Sequence, residues 1–276
     1  MKHPLLQLIW LGFALIASGA DKTKGDLPNT SDSQAELTGA GKDLASYQQA
    51  FLNLPEGQRE EYNKHIREAY RLLADKRIFE VLDELSKAED IFKDDPERLT
   101  LFGSCLVEFR SFEKAMSAFE RADKLSPGNP NILFNIGEVY FVTKKWKESS
   151  DIFSRVLKMN GEKGVKVEPM LLRLGELKIL LCDIKLGKIA EAKVLSQKYD
   201  FLDDSPFYFY AQAAMCYQKN DVAAAEDWVA VARRVFQDPV TIVTWEDALV
   251  EFGYLHSYYG GGEGAGRGEP TKPGGK

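Results

Sequence analysis

The side chains able to do chemistry in this chain are few and far apart. Histidines stand at 3, 65 and 256, and cysteines at 105, 182 and 216. A zinc centre needs three or four such ligands at one point, usually supplied as closely spaced pairs, and no such pair exists in the sequence. A hydrolytic serine would sit on a strained turn between glycines, and a phosphate loop would run from glycines into Lys and Ser or Thr; neither pattern is present. Gly264, Gly266 and Gly268 have the spacing of a phosphate loop, but the surrounding glycine and proline offer it neither a strand before nor a helix after. The expectation is a non-enzymatic protein with no catalytic, cofactor-binding or metal-binding residues. His65 is expected to face solvent or pack beside Tyr62, and His256 to suit the negative end of a closing helix. Nucleic acid is an unsuitable partner, because 36 Lys and Arg against 42 Asp and Glu leave a net charge of −6, and no basic stripe is visible along the chain.

The elements that would position any site announce themselves by repetition. Shifted by 34, the sequence meets itself: Pro96 falls on Pro130, Leu99 on Leu133, Phe102 on Ile136, Gly103 on Gly137, Leu106 on Tyr140, Phe112 on Trp146, Phe119 on Phe153 and Ala122 on Val156. Within each unit the apolar positions recur at three and four residues, in two blocks parted by a polar turn, so each unit is two helices with one buried face apiece. Gly103 and Gly137 let the second helix of the pair come close. Phe112 and Trp146 fill the bend, and Ala115 and Ser149 keep the second crossing tight. Ser126 with Pro127, and Asn160 with Gly161, stop the units.

These positions resemble the tetratricopeptide repeat family, a helix–turn–helix unit of 34 residues. Residues 96–129 supply Leu99, Phe102, Gly103, Leu106, Ala115, Phe119, Ala122 and Pro127 of its pattern. Residues 130–163 supply Leu133, Ile136, Gly137, Tyr140, Ser149, Phe153 and Val156, with Gly161 where the family has Pro. Weaker copies are read at 62–95 (Ala69, Leu72, Val81, Leu85, Ala88), at 169–202, irregular and split by Gly187, and at 206–239 (Phe209, Ala213, Cys216, Val222, Ala225, Val229, Ala232). The resemblance implies an all-α, right-handed superhelical solenoid of about five units spanning 43–258. Residues 240–256, with Trp245, Leu249 and Phe252 on one face, are expected to close it as a solitary capping helix over the last unit; residues 43–54 do the same at the start.

The family's first helices line a concave groove that takes a protein or peptide. Carried onto this sequence, the groove positions are Thr100, Ser104, Glu108, Phe134, Asn135, Glu138, Phe141, Phe207, Tyr210, Ala214 and Tyr217. Their aromatics either anchor a peptide or pack against neighbouring helices. The Lys and Asn with which some members clamp a terminal carboxylate are missing at Thr100 and Ser104. The three cysteines fall in first helices and read as core thiols, a Cys182–Cys216 disulfide being the sharper alternative.

At the ends, residues 1–20 join a short charged start to an apolar run from Leu5 to Ala17 and small residues at Ser18 and Ala20, the layout of a signal peptide cleaved after Ala20. This implies an exported, periplasmic or envelope-associated protein of bacterial type. An uncleaved anchor is the alternative, making the chain a membrane-tethered structural component of an envelope or secretion assembly. Residues 21–42 read as a flexible tether, and 260–276, eight of whose seventeen residues are Gly, as a disordered tail.

Overall fold

The computed structural model describes residues 44–256 apart from residue 163. The expected signal peptide, tether and Gly-rich tail lie outside them, as does His3. The described residues form twelve helices: α1 (Ser46–Leu52), α2 (Glu56–Ala74), α3 (Ile78–Ile91), α4 (Pro96–Glu108), α5 (Phe112–Leu125), α6 (Pro130–Val142), α7 (Trp146–Met159), α8 (Pro169–Lys185), α9 (Ile189–Ser196), α10 (Phe207–Gln218), α11 (Val222–Val235) and α12 (Pro239–Phe252). Among these residues there is no strand. Helices α2 to α11 pair into five antiparallel hairpins, and each hairpin's second helix also packs on the next hairpin's first. The architecture is an all-α repeat solenoid.

Capping chemistry sets where the helices begin. Asp95 precedes α4 and accepts from the amides of Glu97 (3.1 Å) and Arg98 (3.3 Å), while Asn129 accepts from Asn131 N at 2.9 Å to start α6. Pro96 and Pro130 follow at the first helical position, where a missing N–H leaves nothing unsatisfied. Asp95 also accepts from the Tyr62 hydroxyl, which ties the second hairpin to the first. Inside the hairpins the glycines bring the helices together. Ser149 has no exposed surface, and its hydroxyl donates to the Gly137 carbonyl at 3.0 Å, a contact that a larger residue on either side would prevent. His65 pairs with Glu84 at 2.6 Å, linking α2 to α3. His256 is exposed, four residues past the end of α12.

All five first helices end in the same way. The second residue after each is left-handed: Lys76 (φ 57°), Arg110 (φ 55°), Lys144 (φ 61°), Gly187 (φ 76°) and Asn220 (φ 62°). The next amide reaches back to the carbonyl five residues before it, as from Arg77 to Leu72 (2.9 Å) and from Lys145 to Tyr140 (2.8 Å). This is the Schellman stop, which favours glycine at the left-handed position, yet three of the five carry a cation there. Holding an L-residue left-handed costs about 1–2 kcal/mol, whereas glycine loses roughly 0.4–1 kcal/mol through the freedom of its unfolded chain. Lys144→Gly is therefore expected to raise stability by about 0–1.6 kcal/mol. Lys144→Val is expected to be destabilising, because a β-branched side chain tolerates the left-handed conformation worse than the unbranched stem of lysine does. Urea denaturation of the two variants beside the wild type checks both signs.

Candidate functional site

First helices of successive hairpins touch one another, α2 on α4, α4 on α6, α6 on α8 and α8 on α10, so together they form one continuous inner face. The C-terminal helix lies on that face. Expected to cover the last unit, α12 reaches further: it packs on α6 and α8 as well as on α10, crossing three hairpins. Its apolar residues fall on one stripe, Ile242, Trp245, Ala248, Leu249 and Phe252, all buried. Trp245 stacks on Tyr210 with ring centroids 6.1 Å apart, and Phe252 lies 5.6 Å from Trp146 and 6.4 Å from Phe141. Beyond the helix, Tyr254 stacks on Tyr217 at 4.9 Å.

The expected groove residues are consequently not open. Phe141, Tyr210 and Tyr217 are covered by α12 and the residues that follow it, and Ala214 beside them is buried. Phe134 packs into its own hairpin against Phe153 (5.0 Å), and Phe207 packs against Tyr199 (5.3 Å) in the segment that follows α9. Thr100 and Ser104 are buried, their hydroxyls donating to the carbonyls of Pro96 (2.6 Å) and Thr100 (3.0 Å) four residues back. Asn135 and Glu138 are each 2% exposed, and Glu108 and Tyr217 are half-buried. An inner face of aromatic and aliphatic surface leaves too much apolar area in water, and α12 is the element that covers it.

The charges on this face were less visible in the sequence. Lys178 of α8, 2% exposed, places its Nζ 2.9 Å from Glu138 Oε2 and 4.1 Å from the centre of the Phe141 ring. Arg233 donates to Glu246 of α12 at 2.6 Å, and the Tyr210 hydroxyl donates to the same carboxylate at 3.2 Å. Lys185 sits 4.5 Å over the Phe252 ring. Two further carboxyls of α12, Asp247 and Glu251, stand one turn apart and are half-buried. Burial pushes Asp247 up to about 7, against the pull of Lys178 and Lys76, with Glu251 and Glu246 adding to the rise. Burial likewise raises Glu251, opposed by Lys178, Arg110 and Lys144 and assisted by Glu138. On α4, burial lifts Glu108 to about 7 in spite of Lys76. The cations that act on α12 thus include the three left-handed turn residues Lys76, Arg110 and Lys144.

A carboxyl raised by burial is penalised only while ionised, so its cost is absent below its unfolded value and complete above its native one. The seating of α12 is therefore expected to loosen as the pH rises from about 4 through 7. Hydrogen exchange of the α12 amides should be slower at pH 5.5 than at pH 8 after correction for intrinsic rates. Asp247→Asn should recover much of the protection at pH 8.

The described residues contain no cluster of three or more metal-ligating side chains, and no helix long and apolar enough to cross a membrane. Cys105 and Cys182 are buried free thiols pushed up to about 12 by burial, and Cys216 is a half-buried free thiol, so no Cys182–Cys216 bond is formed.

No family model matches the chain, and no curated protein matches it. Among solved structures it is similar to TTC0263, a thermophilic TPR protein of Thermus thermophilus, at 16% identity and a TM-score of 0.51, over 68% of this chain and 99% of that one. It also matches YrrB, described as a TPR protein with an unusual peptide-binding site, at 15% identity and a TM-score of 0.46, over 73% and 97% of the two chains. The likeness to TTC0263 joins the internal repeat in assigning a tetratricopeptide-like fold.

Proposed function

We propose that this chain is an exported, non-enzymatic scaffold that holds a protein partner, in helical form, on the inner face of its solenoid. One observation carries the reading: that face already accommodates a helix, α12, through a stripe of buried apolar side chains bordered by ion pairs. Helix-in-groove recognition uses these parts, anchors at i, i+3, i+4 and i+7 on a hydrophobic floor with charges at the rim. Stacked repeats suit the role because adjacent hairpins extend one surface without a break. The apolar run and small residues of positions 1–20 support export.

Two measurements test it. Mass spectrometry of the chain from an envelope fraction should find it beginning at Asp21; retention of Met1 would instead support the tethered structural component. Affinity capture from envelope extracts should retain a protein whose yield falls on the order of tenfold when the exposed rim residues are reversed, Lys144→Glu with Lys185→Glu, at unchanged far-UV helicity. Equal retention by wild type and variant would count against inner-face binding.

A further inference from the structure

We infer that the inner face is built for an acidic amphipathic helix of another polypeptide, and that α12 is a built-in competitor which that helix displaces. The inference rests on the scaffold reading above and names the chemistry of its partner. Helix α12 carries Glu246, Asp247 and Glu251 and no basic residue. The groups acting on those carboxylates from the solenoid are mainly cations: Arg233 of α11 on Glu246, and Lys178 of α8 with Lys76, Arg110 and Lys144 of three successive turns on Asp247 and Glu251. Glu138 is the opposing anion, and Lys178 holds it at 2.9 Å. A helix seated here needs anchors spaced like Trp245, Leu249 and Phe252 and carboxylates spaced like Asp247 and Glu251.

Helix α12 fills the site imperfectly, which is what a displaceable occupant requires. The Trp245 indole N–H is buried and meets no acceptor among the described residues, a defect that a leucine or phenylalanine anchor on a partner would not carry. Asp247 and Glu251 are half-buried, and neither forms a hydrogen bond or ion pair with the four cations whose charge acts on them. The link to the last hairpin is the short coil 236–238, so the helix can leave while the five hairpins stay stacked. Because it is tethered, α12 competes at a high effective concentration and lowers the partner's apparent affinity by the factor that its seated form outweighs its free form.

The test uses the full chain and a fluorescent peptide of residues 238–256 as the probe. Wild type should bind the peptide weakly. Trp245→Ala/Phe252→Ala, which removes the aromatic anchors of α12, should bind it about tenfold tighter or more. Asp247→Lys/Glu251→Lys, which expels α12 by charge and leaves its apolar stripe alone, should do the same and serves if the first variant loses helicity. A peptide carrying the same two lysines should bind the released chain at least about tenfold more weakly. Equal affinity of wild type and both variants would overturn the competitor, and equal affinity of the acidic and lysine peptides would overturn the acidic chemistry. A captured partner that responds to Lys144→Glu/Lys185→Glu but is not displaced by the peptide would overturn this inference and leave the scaffold standing; failure of both would remove both.

Discussion

Lys178→Met lowers the free energy of unfolding by about 3–5 kcal/mol, although methionine is more apolar and of similar length. The reason lies with the residue left behind. Glu138 is 2% exposed, its Oε2 takes the ammonium at 2.9 Å, and its Oε1 has no hydrogen-bond partner among the described residues. Without Lys178 the carboxylate is a buried anion with no counterion, which is what makes the loss large. Glu138→Leu combined with Lys178→Met removes both charges and returns stability to within roughly 1–2 kcal/mol of wild type, since a buried pair contributes little beyond what apolar replacements supply. A double-mutant cycle by urea denaturation measures the coupling. Additive single effects would show that the pair is not a unit.

The same pair marks where the sequence could and could not be read. The hairpins were legible because the physics that builds them is local: a 3.6-residue apolar period, proline and glycine at the stops, and small residues opposite aromatics, repeated every 34 residues with little change. Placement of α12 was not legible. Its apolar stripe at Trp245, Leu249 and Phe252 shows that it buries a face, but the pattern would be identical for a cap on the last hairpin and for a helix lying back over α6 and α8. The candidate groove fared accordingly. Its positions do belong to first helices, and of the two roles open to its aromatics the structure shows packing: Phe134 on Phe153, Phe207 on Tyr199, and Phe141, Tyr210 and Tyr217 under the C-terminal segment. One signal was available: Lys178 is the one charge in the apolar run 177–182, and a charge on a buried face implies a partner across the interface. The cations of the turns were hidden for another reason. Lys76, Arg110 and Lys144 are 34 residues apart, so no window along the chain collects them, and only stacking brings their charge to bear on one helix.

Phe119→Ala is expected to cost about 3–5 kcal/mol, the range for emptying a buried aromatic site. Phe119 has no exposed surface, and its ring occupies the space left by Gly103: a Cβ built on that glycine would stand 2.5 Å from Phe119 Cε1. Gly103→Ala is thus also destabilising, by up to about 2 kcal/mol once a helix-propensity gain of about 1 kcal/mol has offset part of an overpacking cost of about 1–3 kcal/mol. The two changes oppose each other. In Gly103→Ala/Phe119→Leu the added methyl occupies volume the ring has vacated, and the coupling should be favourable by roughly 0.5–3 kcal/mol. Gly175 of α8 makes the contrast. A Cβ there would meet the end of the Leu157 side chain at 3.3 Å, a group able to yield by a few tenths of an ångström, so Gly175→Ala is expected to be neutral or stabilising by up to about 1 kcal/mol. Two glycines within first helices, given the same substitution, should therefore move the urea midpoint in different ways. A common response would mean that the ring against Gly103 is not what sets the approach of α4 and α5.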